Sequence, residues 1–163
     1  MAENNPQTYQ IAKFALSRNY KDLKPKTIDQ LKKHLLDSIG SIADAVNRPT
    51  IQKLSSYITE LSAGGKCPVP GAGKMPFDRA AQYYTALIRY PDFMDNYLGK
   101  EATCHPSDNI GPLLVAAQMT NASGEEFLLG MAVGYEIECR LVEEIPVMIK
   151  GFDHTLLLVY SLT

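Results

Sequence analysis

The sequence predicts an all-α fold, a bundle-like domain of several helices. Hydrophobic residues recur three and four positions apart along most of the chain, which is the spacing of helices that bury one face. No segment alternates polar and apolar residues over the length of a strand. The chain has 163 residues, of which 45% are hydrophobic, so it has the size of one domain and can build a core.

The first two predicted helices precede Pro49. One runs from Tyr9 to about Ser17, and a turn follows it. Thr27 is then expected to be the N-cap of the second helix. Gly40 interrupts that helix, and because glycine in a helix costs about 1 kcal/mol relative to alanine, we expect another helix to pack closely against it. Six apolar residues at helical spacing form the expected inner face, namely Ile28, Leu31, Leu35, Leu36, Ile39 and Ile42.

Two more helices are expected on either side of a loop. Residues 51–61 have the apolar period of an amphipathic helix. Residues 63–76 contain four glycines and three prolines, which predicts a long loop with a short extended piece around Val69. Residues 77–90 then predict a buried helix with Asp78 in its first turn.

The C-terminal third predicts further helices. Residues 109–120 are small and apolar and suit a central helix. Ser123 and Glu126 match a capping box at the start of a long helix that ends near residue 144. Gly130 and Gly134 lie four apart in that helix and would let another helix approach closely.

A last apolar helix is expected to begin after Asp153, which would cap it. No residue that closes a helix precedes Thr163, and we therefore expect the natural chain to continue and the domain to be the N-terminal portion of a larger helical one.

Composition narrows the class of protein. The formal net charge is −2 and acids and bases are mixed, which argues against nucleic-acid binding. No apolar run reaches the roughly 20 residues that span a bilayer, and the N-terminus lacks the pattern of a signal peptide. Three cysteines at wide spacing indicate neither a disulfide framework nor a zinc site. The expectation is a cytoplasmic protein without membrane or nucleic-acid partners and without a metal.

Polar and titratable residues concentrate between positions 92 and 109, between two apolar helices. Asp92 and Asp95 lie one helical turn apart if the preceding helix continues, and they converge if it ends in a turn. Paired carboxylates can bind a metal or shift each other's pKa for acid–base work. The alternative is a helix-capping aspartate with a solvated neighbour. No phosphate-binding loop is present, because the glycines before Lys74 lack the required spacing.

Histidines stand at two predicted helix entries. Pro106 forces His105 out of the α region directly before a helix. The electropositive end of that helix favours a neutral imidazole, which can accept a proton. His154 follows Asp153 at the next entry. Cys104 is expected only to support the site, and His34 is interpreted as a surface or packing residue.

Several of these motifs together resemble the N-terminal half of the 2-methylcitrate dehydratase family, which also contains cis-aconitate decarboxylase and iminodisuccinate epimerase. The similarity runs through nearly all of the chain. It is carried by Leu35–Gly40, Asp92-Phe-Met-Asp95, Leu98, Glu101, His105-Pro-Ser-Asp-Asn109, Gly134-Tyr-Glu-Ile137, Arg140-Leu141 and Gly151-Phe-Asp-His-Thr155.

The resemblance implies a large helical domain followed by a smaller α/β lid domain, a homodimer, and dehydration of 2-methylcitrate in propionate catabolism without a cofactor. By position, Asp92, His105 and His154 match active-site residues of the family. Asn96 stands where the family commonly has threonine.

The histidines would be the acid and base, and Asp92 would orient one of them. The expected contacts to the polycarboxylate substrate are Asp95, Asn96, Ser107 and Lys100. Only Lys100 and Lys150 are cations near these motifs in the sequence, so we expect further cations from chain beyond residue 163 or from a partner subunit, and an inactive fragment. The alternatives are a decarboxylase or epimerase of the same family, or a non-catalytic helical dimerisation module.

Overall fold

The computed structural model describes residues 6–62 and 64–162, and these residues form the predicted all-α fold. The helices are α1 (Gln7–Leu16), α2 (Pro25–Ala45), α3 (Pro49–Leu61), α4 (Phe77–Arg89), α5 (Ile110–Thr120), α6 (Gly124–Glu144) and α7 (Leu158–Ser161). Two small antiparallel hairpins pair β1 (Cys67–Val69) with β2 (Gly73–Met75) and β3 (Tyr97–Leu98) with β4 (Thr103–Cys104). Short 3-10 turns lie at Tyr20–Asp22, Pro106–Asn109 and His154–Leu157.

Helix α4 is the centre of the main core and packs against α2, α3 and α5. Its buried residues fall on one face at helical spacing, namely Ala80, Tyr83, Leu87 and Ile88. The closest approach is to α5, where a Cβ on Gly111 would lie 2.5 Å from Oγ1 and 2.7 Å from the backbone nitrogen of Thr85. Glycine at position 111 therefore allows α5 to lie directly on α4.

A second, smaller hydrophobic cluster lies under the β3–β4 hairpin, and five buried residues among those described form it: Ala102, Cys104, Val142, Val147 and Leu157. They join the hairpin, the end of α6 and the 3-10 turn that begins at His154. This cluster brings chain near residue 154 beside chain near residue 105.

Helix α2 differs from the prediction in three ways. It begins at Pro25, with Lys24 as N-cap, so the expectation that Thr27 caps it is wrong. Proline suits the first helical position because that position needs no N–H donor. A Cβ on Gly40 would meet nothing within 4 Å, so among the described residues no helix packs against it as expected. The expected inner face is also wrong in part, since Leu36 is 69% and Ile39 49% exposed.

Helix α6 confirms the other packing expectations. The Ser123–Glu126 capping box is present, with the hydroxyl and carboxylate each accepting from the other residue's backbone N–H. A Cβ on Gly134 would lie 3.4 Å from the Asn109 side chain. Asp153 also caps, accepting from the Thr155 N–H at 2.9 Å, but it caps a 3-10 turn, and the last helix begins only at Leu158. Among the helices described, none is long and apolar enough to cross a membrane.

Candidate functional site

The candidate site lies where the chain reverses after α4. Asp92 has a φ of 58°, which turns the chain out of the helix. The β3–β4 hairpin then returns it to His105, whose backbone is held out of the helical region before Pro106 (φ −117°, ψ 89°). Residues 106–109 follow as a buried 3-10 turn that leads into α5. The polar segment therefore begins at an exposed turn and ends in buried structure at residues 106–109.

His105 and His154 lie next to each other in this site. Their ring centroids are 5.2 Å apart and the rings meet edge to face at 75°. His154 is buried, at the start of its 3-10 turn. Two histidines that are distant in the sequence are thus placed within reach of one small molecule. The sequence motifs marked the two helix entries, each by itself.

Asp95 holds His105 in one tautomer. His105 Nδ1 lies 2.7 Å from the backbone carbonyl oxygen of Asp95, which can only accept a hydrogen bond. Nδ1 must therefore carry the proton, and in the neutral ring the lone pair is on Nε2. The Asp95 carboxylate is fixed in turn, since its Oδ1 accepts from the Ser107 N–H at 2.9 Å.

A residue from α2 reaches the same carboxylate. His34 Nδ1 lies 3.3 Å from Asp95 Oδ2, and Gln30 Nε2 lies 2.9 Å from His34 Nε2. The His34 ring also packs on Tyr135, with centroids 5.6 Å apart. Burial and the Asp95 carboxylate raise the pKa of Tyr135. The sequence predicts His34 as a surface or packing residue. Its contact with Asp95 was not predicted, because no motif around residue 34 indicates one.

A buried aspartate beside the histidines pairs with a cation that sequence reasoning also missed. Asp108 is 2% exposed, and its Oδ2 lies 3.5 Å from Arg89 Nη1 and 3.9 Å from His154 Nε2. Burial raises the pKa of Asp108 to about 6, although Arg89 and His105 oppose the shift. Burial likewise lowers the pKa of His154, against the effect of Asp153. The signal for Arg89 was its place in the last turn of α4, directly before the polar segment.

A second buried carboxylate lies below the 3-10 turn. Glu138 is fully buried on α6, and its Oε2 accepts from Asn109 Nδ2 at 2.5 Å. Burial raises the pKa of Glu138 to about 7, partly offset by the bond from Asn109. The Ser161 hydroxyl donates to Asn109 Oδ1, the side-chain amide oxygen, at 2.7 Å. Asn109 thus ties α6 and α7 to the start of α5.

The remaining predicted site residues are placed as follows. Asp92 and Asn96 are exposed, and neither side chain has a hydrogen bond or ion pair with another described residue. The contact that orients a histidine comes from Asp95 and not from Asp92. Ser107 is buried and contributes its N–H, while its hydroxyl has no partner among the described residues.

Lys100 is exposed and lines a cavity of about 660 Å³ that reaches His34 and Tyr135. Helices α2 and α6 and the β3–β4 hairpin enclose this cavity. Three acidic residues of α6 also line it, Glu136, Glu143 and Glu144. Glu136 pairs with Arg140, and Glu143 accepts from the Tyr97 hydroxyl.

Cys104 is buried, and neighbouring Cys139, burial and Glu138 all raise the pKa of its thiol. A protonated thiol is a poor nucleophile. Within residues 6–62 and 64–162, no group of three or more His, Cys, Asp or Glu side chains is arranged to hold a metal ion. The titratable groups that are placed for acid–base chemistry are therefore His105 and His154, with the carboxylates of Asp95 and Asp108 beside them.

Comparison with protein families agrees with these motifs. The family model described as the MmgE/PrpD N-terminal domain matches residues 9–163. This match covers nearly the whole chain, and it includes α1 to α7 apart from the first residues of α1. The family is the one to which the resemblance pointed, that of 2-methylcitrate dehydratase. The protein therefore belongs to the MmgE/PrpD family and corresponds to its N-terminal domain.

Proposed function

We propose that this domain supplies the acid–base residues of a cofactor-free lyase that dehydrates 2-methylcitrate to 2-methylaconitate. The observation that carries the proposal is the bond from His105 Nδ1 to the Asp95 carbonyl oxygen, at 2.7 Å, beside the ring of His154. In the neutral ring this bond leaves the lone pair on Nε2, where it can accept a proton. Family membership supports the reaction class, since the family includes dehydratases.

The base in this mechanism is His105. Its Nε2 takes a proton from the carbon next to a substrate carboxylate, and the electron pair forms the carbon–carbon double bond. The C–O bond to the hydroxyl on the neighbouring carbon breaks. A positioned general base contributes about 10²- to 10⁴-fold in rate, provided its pKa is close to the working pH.

The acid is His154, which gives a proton to the departing hydroxyl so that water leaves. Its pKa is lowered by burial, so the ring yields a proton readily when it holds one. Asp108, with a pKa of about 6, lies 3.9 Å from His154 Nε2 and can exchange protons with it. After each turnover His105 holds the proton that it took and His154 lacks the proton that it gave, and exchange of protons with solvent water restores both rings.

The substrate's carboxylates need cations. Arg89 lies beside Asp108 at the edge of the histidine pair, and its guanidinium is about one-third exposed. Lys100 lies on the neighbouring cavity. We propose that both bind carboxylates, as the planar fork of arginine and the ammonium of lysine commonly do.

The test follows both turnover and binding. Purified protein is incubated with 2-methylcitrate, and the conjugated alkene product is measured by its absorbance. In parallel, the ring ¹⁵N and ¹H signals of His105 and His154 are followed during a titration with 2-methylcitrate. We expect both rings to shift. His105→Asn, which keeps a donor for the Asp95 carbonyl and removes the base, is the matched variant, and it should lose whatever turnover the wild-type protein shows.

Other outcomes identify the alternatives. Release of CO₂ from cis-aconitate without turnover of 2-methylcitrate would replace dehydration with decarboxylation. Inversion of an amino-diacid would indicate an epimerase. Binding without turnover would mean that this domain supplies half of the site. No shift of either ring with any of these compounds would contradict the proposal and favour a non-catalytic helical module.

A further inference from the structure

Four polar contacts connect α2 to the candidate base. They run from Gln30 Nε2 to His34 Nε2 (2.9 Å), from His34 Nδ1 to Asp95 Oδ2 (3.3 Å), from Ser107 N to Asp95 Oδ1 (2.9 Å) and from His105 Nδ1 to Asp95 O (2.7 Å). Asp95 is common to three of them.

The partners settle where the protons lie. A carboxylate oxygen only accepts, so His34 must carry its proton on Nδ1 to bond to Asp95. Nε2 of the neutral ring is then an acceptor, and the amide nitrogen of Gln30 donates to it. In the Nδ1–H tautomer, His34 therefore donates to Asp95 and accepts from Gln30, which satisfies both contacts of its ring.

The Asp95 side chain is largely buried, so its carboxylate needs hydrogen-bond donors from the protein as well as from solvent. Two donors from different elements fix it, the backbone of the 3-10 turn and the ring of His34 on α2. Fixing both carboxylate oxygens also fixes the backbone of Asp95. The carbonyl that accepts from His105 belongs to that same residue, ten positions before His105.

We infer that His34 is a positioning residue that holds Asp95 and thereby keeps His105 with its proton on Nδ1 and its lone pair on Nε2. The catalytic part of this inference rests on the proposed function, whereas the effect on the His105 tautomer does not. His34 itself touches neither reacting carbon in this scheme.

The wild-type protein gives the first test. Uniformly ¹⁵N-labelled protein is recorded in a two-bond ¹H–¹⁵N correlation experiment, which distinguishes the protonated from the unprotonated nitrogen of each ring. We expect His34 and His105 both as neutral Nδ1–H tautomers. His34 found with its proton on Nε2 would overturn the inference without any substitution.

Variants give the second test. His34→Leu removes the donor, and His34→Asn restores one because its amide nitrogen occupies nearly the place of Nδ1. In His34→Leu we expect the ratio of Nδ1–H to Nε2–H tautomer at His105 to fall about three- to tenfold, the range for one lost hydrogen bond. In His34→Asn it should stay near the wild-type ratio. Lys33→Ala, at an exposed neighbour on α2, is the control and should change nothing.

Kinetics separate this inference from the proposed function. With an active protein, His34→Leu should lower kcat about three- to tenfold with little change in KM, and His34→Asn should recover it. A raised KM with an unchanged His105 tautomer would mean that His34 binds the ligand and does not position Asp95. A changed tautomer in a protein inactive on every compound would leave the positioning role standing and remove the proposed reaction.

Discussion

His105 Nδ1 donates to the backbone carbonyl oxygen of Asp95 across 2.7 Å, although ten positions separate the two residues. A backbone acceptor cannot ionise or change its number of protons near neutral pH. It therefore orients the imidazole without competing for its proton, unlike a carboxylate partner. Changes that disturb the His105–Asp95 bond should therefore change the orientation and the tautomer of the imidazole.

The first prediction concerns the base. His105→Asn should reduce dehydration by about 10²-fold or more, because it removes Nε2 and keeps a donor for the Asp95 carbonyl. Steady-state rates with 2-methylcitrate measure this change, and circular dichroism checks that the fold is kept. Activity within a factor of two of wild type would exclude His105 as the base.

A second prediction concerns substrate binding. Arg89→Gln should raise KM for 2-methylcitrate about tenfold or more, since a charge-assisted bond to a carboxylate is worth roughly 1.5–3 kcal/mol. Arg79→Gln, on the exposed side of the same helix, is the matched control and should leave KM unchanged. An unchanged KM in Arg89→Gln would mean that Arg89 pairs with Asp108 and does not bind the substrate.

The third prediction concerns pH and stability. The pKa of Asp108 is about 6 in the folded protein against 3.8 for the free side chain. Between these values the folded state binds more protons than the unfolded state, so ionised Asp108 lowers stability as pH rises. Above pH 6 the cost approaches about 3 kcal/mol.

Asp108→Asn should therefore gain stability relative to wild type as pH increases from 4 to 7. Urea unfolding of both proteins at several pH values measures the difference. Asp78→Asn at an exposed position controls for general effects of charge. A difference between Asp108→Asn and wild type that is constant with pH would contradict the raised pKa.

A fourth prediction uses two glycines with opposite outcomes. Gly111→Ala places a Cβ 2.7 Å from the backbone nitrogen of Thr85 and should destabilise the protein by about 1–3 kcal/mol. Gly40→Ala meets nothing within 4 Å in an exposed part of α2 and should stabilise it by about 0.5–1 kcal/mol. Thermal unfolding compares the two variants, and equal signs would contradict the packing of α4 on α5.

The sequence pattern was sufficient for the helices and for the two helix entries that carry His105 and His154. Local signals such as the Ser123–Glu126 capping box depend on neighbouring residues only, and they are confirmed. Which face of α2 is buried depends on α4 and α6, so Leu36 and Ile39 were assigned inward although they are exposed.

The site shows the same division. The apolar spacing of α2 places His34 beside leucines and does not predict a contact with Asp95. That contact forms because the turn at Asp92 brings Asp95 back toward α2. Arg89 lies in helix α4 as predicted, but its pairing with Asp108 was not, because the turn after α4 brings Asp108 back to it. Contacts of this kind are set by tertiary packing, and no spacing in the sequence encodes them.

The small cluster of Ala102, Cys104, Val142, Val147 and Leu157 has a consequence for the lifetime of the site. It is separate from the main core, and it joins the turn of His154 to the hairpin that precedes His105. Opening such a small cluster costs less free energy than unfolding the whole domain. The histidine pair would thus dissociate on warming while α4 and its neighbours remain folded, and amide hydrogen exchange near residue 157 would report the fraction of molecules in which the site is assembled.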